Sequence, residues 1–147
     1  MTRTKTQRQT KAEETHGHTL RYFKNDKHKE AFDSAIKGMD EKDRTAMSVM
    51  YLLTADRNLW QTAKQYVKGN RLSLKKMRLF GNTEAGYTLF CCAKDILYGT
   101  EHLTVGDLSD ANIVPPKLYG VICNAMTIRR YGLDAINEHK EKETCGK

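Results

Sequence analysis

The stretch PPKLYGVICNAMTIRRYG, residues 115–132, is almost continuously apolar as far as Ile128. A proline in the first turn of a helix removes only an N–H group that would lack a helical partner, so the paired prolines suit a helix start. Gly132 suits the end of the same helix. We therefore predict a helix over Lys117–Tyr131 that forms the hub of the core.

Working outward, apolar spacings of three and four predict further helices on the N-terminal side of this hub. Their expected first residues are capping side chains, namely Asn25 or Asp26, Asp40, Asp56, and Asn82 or Thr83. Their expected ends are Gly38, Gly69 and Gly99. The second of them surrounds more of its circumference with apolar residues, through Met47 and Leu53, which indicates a central position.

Two shorter segments complete the fold prediction. Thr104–Asp107 resembles a capping box and predicts one or two further helical turns. Residues 70–81 fit either a short helix or an extended segment, and we favour the short helix. The predicted fold class is all-α, a single compact bundle of five to seven helices around the apolar helix near 117–131.

Composition predicts the domain organisation. Residues 1–19 contain no large apolar side chain beyond Met1, so we predict a disordered basic tail, with an accessory arm on nucleic acid as the alternative. Residues 20–142 are predicted to form a single helical domain that ends in a short amphipathic segment over 133–142, and residues 143–147 a frayed C-terminus. No apolar run is long enough to span a bilayer and no apolar stretch follows the basic N-terminus, which predicts a cytoplasmic protein without a membrane partner.

Residues 57–83 carry seven basic side chains and no acidic one, a local charge equal to the net charge of +7 of the whole chain. We call these seven side chains the basic surface: Arg57, Lys64, Lys68, Arg71, Lys75, Lys76 and Arg78. Arg57, Lys64 and Lys68 are expected to share one face of the third helix. Such a surface is typical of a protein that meets phosphate or an acidic partner, so nucleic acid or an acidic protein surface is the predicted partner.

Aromatic residues lie between these basic ones. Trp60, Tyr66 and Phe80 could stack on unpaired bases, as in single-strand binding proteins. An aromatic residue on an amphipathic helix more often faces the core, and for Trp60 and Phe80 we favour that interpretation.

Other chemistries find little support in the sequence. It contains neither a Gly-x-Ser-x-Gly turn nor a Gly-Lys-Ser/Thr phosphate loop, so we predict no catalytic residue, no cofactor and no enzymatic activity. Cys91 and Cys92 are consecutive helix positions that point about 100° apart, which does not suit a metal site. They and Cys123 are predicted to be small, buried, reduced side chains.

Residues 103–130 also allow a helix-turn-helix interpretation, with Thr104–Asp110 as the first helix and Lys117–Arg130 as the recognition helix. A recognition helix needs polar residues near its N-terminus to read base edges. Lys117 is the one such residue in the N-terminal half of this segment, so we favour a buried helix.

The sequence resembles a group of small helical proteins, without an established activity, that are encoded on conjugative elements and related mobile DNA of gut Firmicutes. The resemblance covers about residues 20–136. Five segments carry it: Phe23–Phe32, Met50–Trp60, Gly86–Asp95, Leu103–Ser109 and, as the most specific, Pro115–Gly132. It implies a cytoplasmic helical protein of a mobile element and assigns no functional residue.

These observations together predict a non-enzymatic accessory or regulatory protein of a mobile genetic element that binds nucleic acid through the basic surface at 57–83. The alternative is a protein–protein interaction module, such as an inhibitor of a host defence system of the anti-CRISPR or anti-restriction type. Many such inhibitors imitate DNA with acidic surfaces, and this chain has the opposite charge.

Overall fold

The computed structural model describes residues 22–79 and 81–136. The described part is mostly helical, as predicted. Its α-helices, in chain order, are α1 (Asp26–Ala35), α2 (Arg44–Leu53), α3 (Arg57–Ala63), α4 (Glu84–Tyr98), α5 (Val105–Leu108) and α6 (Pro116–Tyr131). Between α3 and α4 lie a 3₁₀ turn (Lys64–Tyr66) and two short strands, β1 (Val67–Lys68) and β2 (Arg71–Leu72).

Side-chain caps start most of these helices where the sequence predicted. The Asn25 side chain accepts a hydrogen bond from the His28 N–H at 2.9 Å, and the Asp56 side chain accepts one from the Leu59 N–H at 2.9 Å. Thr83 caps α4 in the same way, and Thr104 forms the predicted capping box with Asp107. Each cap satisfies a backbone donor that the first turn of a helix leaves unpaired.

The start of α2 differs from the prediction. Asp43 rather than Asp40 is the cap, and its Oδ1 accepts from the Ala46 N–H at 3.0 Å. Asp40 instead accepts from the Lys42 N–H at 3.0 Å, which makes a tight turn before the helix. The loop over 40–43 that results is important for the candidate site.

The centre of the core is α2 and not the helix over 117–131. All residues from Ala46 to Leu53 are buried, and α2 packs against both α4 and α6. In α6 one face is buried, through Val121, Ile122, Ala125 and Ile128, while Tyr119, Met126 and Tyr131 are exposed. The predicted hub was wrong because apolar composition does not oblige a side chain to be buried.

A buried polar group joins α1 to α2. His28 lies against Phe23 and Tyr51, with its ring centroid 4.7 Å from that of Tyr51. The His28 Nε2 and the Tyr51 carbonyl oxygen are 2.9 Å apart, and the His28 Nδ1 accepts from the Lys24 N–H at 3.0 Å. Because Nδ1 is an acceptor, the proton of the neutral ring lies on Nε2 and is donated to Tyr51.

The segment after α3 contradicts two sequence predictions. The third helix ends at Ala63 instead of Gly69, and residues 70–79 contain strand β2 and a non-helical arm instead of a short helix. Strand β1 pairs with β2 in antiparallel register, Val67 with Leu72 and Lys68 with Arg71. Gly69 has a φ of 57° at the first central position of the turn, a conformation that favours glycine and suits the twist of a hairpin.

Several predictions lie outside the described residues. These concern the tail at 1–19, Phe80, the part of the segment 133–142 beyond Ile136, and the C-terminus at 143–147. Within the described ranges, no helix has both the length and the apolar character that crossing a membrane requires.

Candidate nucleic-acid interface

An alternation of buried and exposed residues presents much of the basic surface to solvent. From Arg71 onward, Leu72, Leu74 and Met77 are buried, and the residues between them are exposed. Because successive side chains of an extended chain point to opposite sides, burial of the apolar residues turns Arg71 and Lys75 outward. The same backbone conformation therefore packs the apolar side chains of this segment into the core and exposes the basic ones.

The structure places all seven predicted side chains at exposed positions: Arg57, Lys64, Lys68, Arg71, Lys75, Lys76 and Arg78. Neither of the two ion pairs found among the described residues, Lys29–Asp33 and Asp95–His102, includes one of them.

The seven side chains do not share one helix face. Lys68 lies in β1, and Lys64 begins the 3₁₀ turn, so the predicted helical alignment with Arg57 was wrong. The structure brings Lys68 and Arg71 together, because directly paired residues of an antiparallel ladder lie on the same face, with Cβ atoms about 5 Å apart. Arg57 is separated from Lys64 by the length of α3, about 10 Å.

Hydrogen bonds at two points hold the β1–β2 hairpin and the non-helical segment after it, residues 73–79, in place. At the tip, Asn70 Oδ1 accepts from the Asp40 N–H at 2.8 Å and Asn70 Nδ2 donates to the Asp40 carbonyl at 3.0 Å. On the other side of the hairpin, the Tyr98 hydroxyl accepts from the Leu74 N–H at 2.9 Å. The Lys75 ammonium lies 5.0 Å from the centroid of the Tyr98 ring, a cation–π contact that partly occupies this lysine.

The tip anchor also brings acidic residues to one side of the basic surface. Asp40 and Asp43 both interact with Asn70, the neighbour of Arg71. Counting charges along the chain could not reveal this proximity, since 30 residues separate Asp40 from Asn70. The loop over 40–43 therefore bounds the basic surface at the hairpin tip.

Trp60 packs against the core, as predicted, and is half-buried there. Part of its side chain lines a small cleft beside Lys64 and β1. Tyr66 is also half-buried against the core.

Cys91 and Cys92 offer poor nucleophiles. Cys91 and Cys92 are buried free thiols, as predicted, whereas Cys123 is only half-buried. Burial raises the pKa of the Cys92 thiol to about 12 and also raises the pKa of Cys91, which keeps both protonated near neutral pH. In residues 22–79 and 81–136, no three side chains of the metal-ligand types converge.

The helix-turn-helix interpretation does not fit the geometry of 103–130. The helix expected over Thr104–Asp110 is α5, with four residues. The exposed basic side chains of α6 lie near its two ends, at Lys117 and at Arg129 and Arg130, while the exposed residues between them include Tyr119 and Met126, which lack the paired donors and acceptors used to read bases.

Comparisons of the chain with protein-family models, with curated proteins and with solved structures gave no match. The resemblance to proteins of mobile elements therefore stays a prediction.

Proposed function

We propose that this chain is a cytoplasmic, non-enzymatic accessory or regulatory protein of a mobile genetic element, and that it binds nucleic acid through the basic surface. The observation that carries the proposal is the burial pattern over 71–78, in which three apolar side chains are buried and the four basic ones are exposed. Lysine and arginine side chains displayed in this way bind phosphate groups with little dependence on base sequence.

The pairing of Lys68 with Arg71 supports a role beyond folding. Like charges directly opposite each other in an antiparallel ladder destabilise it. A phosphate group between the two side chains would remove this repulsion, because both could donate to its oxygens. The repulsion between Lys68 and Arg71 lowers the stability of the unbound protein, and its removal by a phosphate group adds to the free energy of binding.

Charge reversal tests the proposal. We expect the triple variant Lys68→Glu, Arg71→Glu and Lys76→Glu to bind a labelled 20-base-pair DNA at least about 30-fold more weakly at low salt, because three phosphate contacts become repulsions. Lys75 is left unchanged because of its contact with Tyr98. Fluorescence anisotropy measures the affinity.

A matched triple variant controls for net charge. Lys27, Lys117 and Arg129 are exposed and lie on α1 and α6, outside residues 57–83. Reversing these three should change the affinity by less than about threefold beyond the long-range charge effect. Equal losses in the two variants, with both folded by circular dichroism, would mean that the basic surface is not a binding site.

A protein–protein interaction module, such as an inhibitor of host defence, is the second candidate, and a different part of the molecule favours it. Two cavities of about 440 and 520 Å³ both border the first turn of α4 at Glu84. Ile113 lines both and is 48% exposed, and Tyr87, 58% exposed, lines the second. Exposed apolar residues beside a cavity are typical of protein contacts. This function predicts a partner that remains bound after nuclease treatment and is lost on Ile113→Asp.

A further inference from the structure

A small cleft opens beside the hairpin, on the side of the molecule that carries Lys64. Its volume is about 200 Å³, below the range of about 300–1,000 Å³ that is usual for sites of larger organic ligands. Residues from three parts of the chain line it: Ala35, Lys37 and Met39 from α1 and the loop after it, Trp60 and Lys64 from α3 and the 3₁₀ turn, and Val67 and Gly69 from the hairpin. A cleft of this size has room for one flat ring system.

The position of Trp60 on α3 leaves part of its side chain at the cleft. Leu59 and Ala63 are fully buried and define the core face of α3, whereas Trp60 is only half-buried. Consecutive helix positions are rotated by about 100°, so Trp60 lies at the border between the core and solvent. An indole in that position can cover the core with one part and contact a ligand with another.

The charges around the cleft match a nucleotide. Lys37 and Lys64 are exposed, come from different elements and both line the cleft. Lys68 follows on the adjoining strand. An aromatic side chain and cations around one cleft are the combination with which proteins hold single-stranded nucleic acid, since the base stacks and the flanking phosphates pair with the cations.

We infer that this cleft binds an unpaired base of a single-stranded nucleic acid, with Trp60 as its stacking wall and Lys37 and Lys64 on the flanking phosphates. The inference rests on the proposed function and adds a preference for single strands. A base in a duplex is stacked and paired on both sides and reaches such a cleft only after it leaves the stack, at a cost in free energy. Duplexes therefore use the basic surface alone.

Fluorescence tests the inference directly, because Trp60 is the single tryptophan of the chain. We expect oligo(dT) or oligo(U) to quench the Trp60 emission on binding, and the tighter of the two to show whether the site prefers the DNA or the RNA homopolymer. Inorganic polyphosphate and a DNA duplex should bind with little quenching, since neither offers an unpaired base.

A substitution gives the second measurement. Trp60→Leu should weaken binding of the single strand by roughly 5- to 100-fold, the effect of losing one stacked base, and should change duplex affinity by less than about twofold. Tyr131→Leu, at an exposed aromatic residue of α6, is the matched control and should leave both affinities unchanged. If Trp60→Leu fails to fold, the double variant Lys37→Glu and Lys64→Glu should abolish the quenching in a protein that keeps its tryptophan.

The outcomes separate this inference from the function on which it rests. Absence of binding to any of these polyanions at low salt would overturn the proposed function and the inference together. Binding with equal quenching by polyphosphate and oligo(dT), or equal losses of single-strand and duplex affinity in Trp60→Leu, would overturn the inference and leave the proposed function standing.

Discussion

Burial lowers the pKa of His28 to about 4 from its ordinary value of 6.5, because the ring is withdrawn from water next to Tyr51. The hydrogen bond to the Tyr51 carbonyl opposes this shift, and the charge of Lys24 adds to it. The neutral ring satisfies both of its nitrogens, so the structure holds His28 as an uncharged link between α1 and α2. Protonation removes the acceptor at Nδ1 and places a charge in the core.

The pH dependence of stability follows from this pKa. Between pH 6.5 and 4 the unfolded chain binds a proton at His28 and the folded chain does not, so we expect stability to fall as the pH falls through this range. The loss is about 3 kcal/mol, with the full contribution present above pH 6.5 and no further change from this group below pH 4. Urea unfolding at pH 7.5, 5.5 and 4 measures it.

Two variants identify the group responsible. His28→Gln removes the titration and should flatten the dependence between pH 6.5 and 4. His102→Gln, at an exposed position, should keep it. A dependence that is equally steep in wild type and His28→Gln would show that another group titrates.

At the scale of elements, caps explain which helices were predictable. Asn25, Asp56 and Thr83 each bond to a backbone N–H three residues on, so the information lies within one turn of the chain. The hairpin was missed although Gly69-Asn70 is a known two-residue turn signal, because strands of two residues are too short to show a period of two. The bonds that hold it, to Asp40 and Tyr98, join distant parts of the chain.

The Asn70 side chain anchors the hairpin tip to the backbone of Asp40. We expect Asn70→Ala to lower the free energy of unfolding by about 1–2 kcal/mol, because two hydrogen bonds to the Asp40 backbone are lost. Amide exchange at Arg71 and Leu72 should accelerate as the strand loosens. Asn58→Ala, at an exposed position of α3, is the control. A stability loss no greater than that of the control would mean that the hairpin stands without its tip anchor.

For the whole molecule, the position of the core explains why the hub was misassigned. The sequence shows that both 44–53 and 117–131 are rich in apolar residues, and in the structure α2 lies at the centre because both α4 and α6 pack against it. Which of two apolar helices lies in the middle depends on the arrangement of all the others. The candidate site was predictable as a set of residues, since its signal is the absence of acids over 57–83.

The uneven distribution of the net charge of +7 leads to the last prediction, which concerns salt. If the basic surface neutralises about four to six phosphates, affinity for duplex DNA should fall by about two to three orders of magnitude between 50 and 200 mM salt, because bound counterions are released. A plot of log affinity against log salt gives the number of phosphates directly. The Lys68, Arg71 and Lys76 reversal should reduce the slope by about three, and the Lys27, Lys117 and Arg129 reversal should leave it nearly unchanged, since only contacts with phosphate release counterions. A slope close to zero in wild type would mean that charge does not drive the binding, and the protein-partner function would then be the better explanation of this surface.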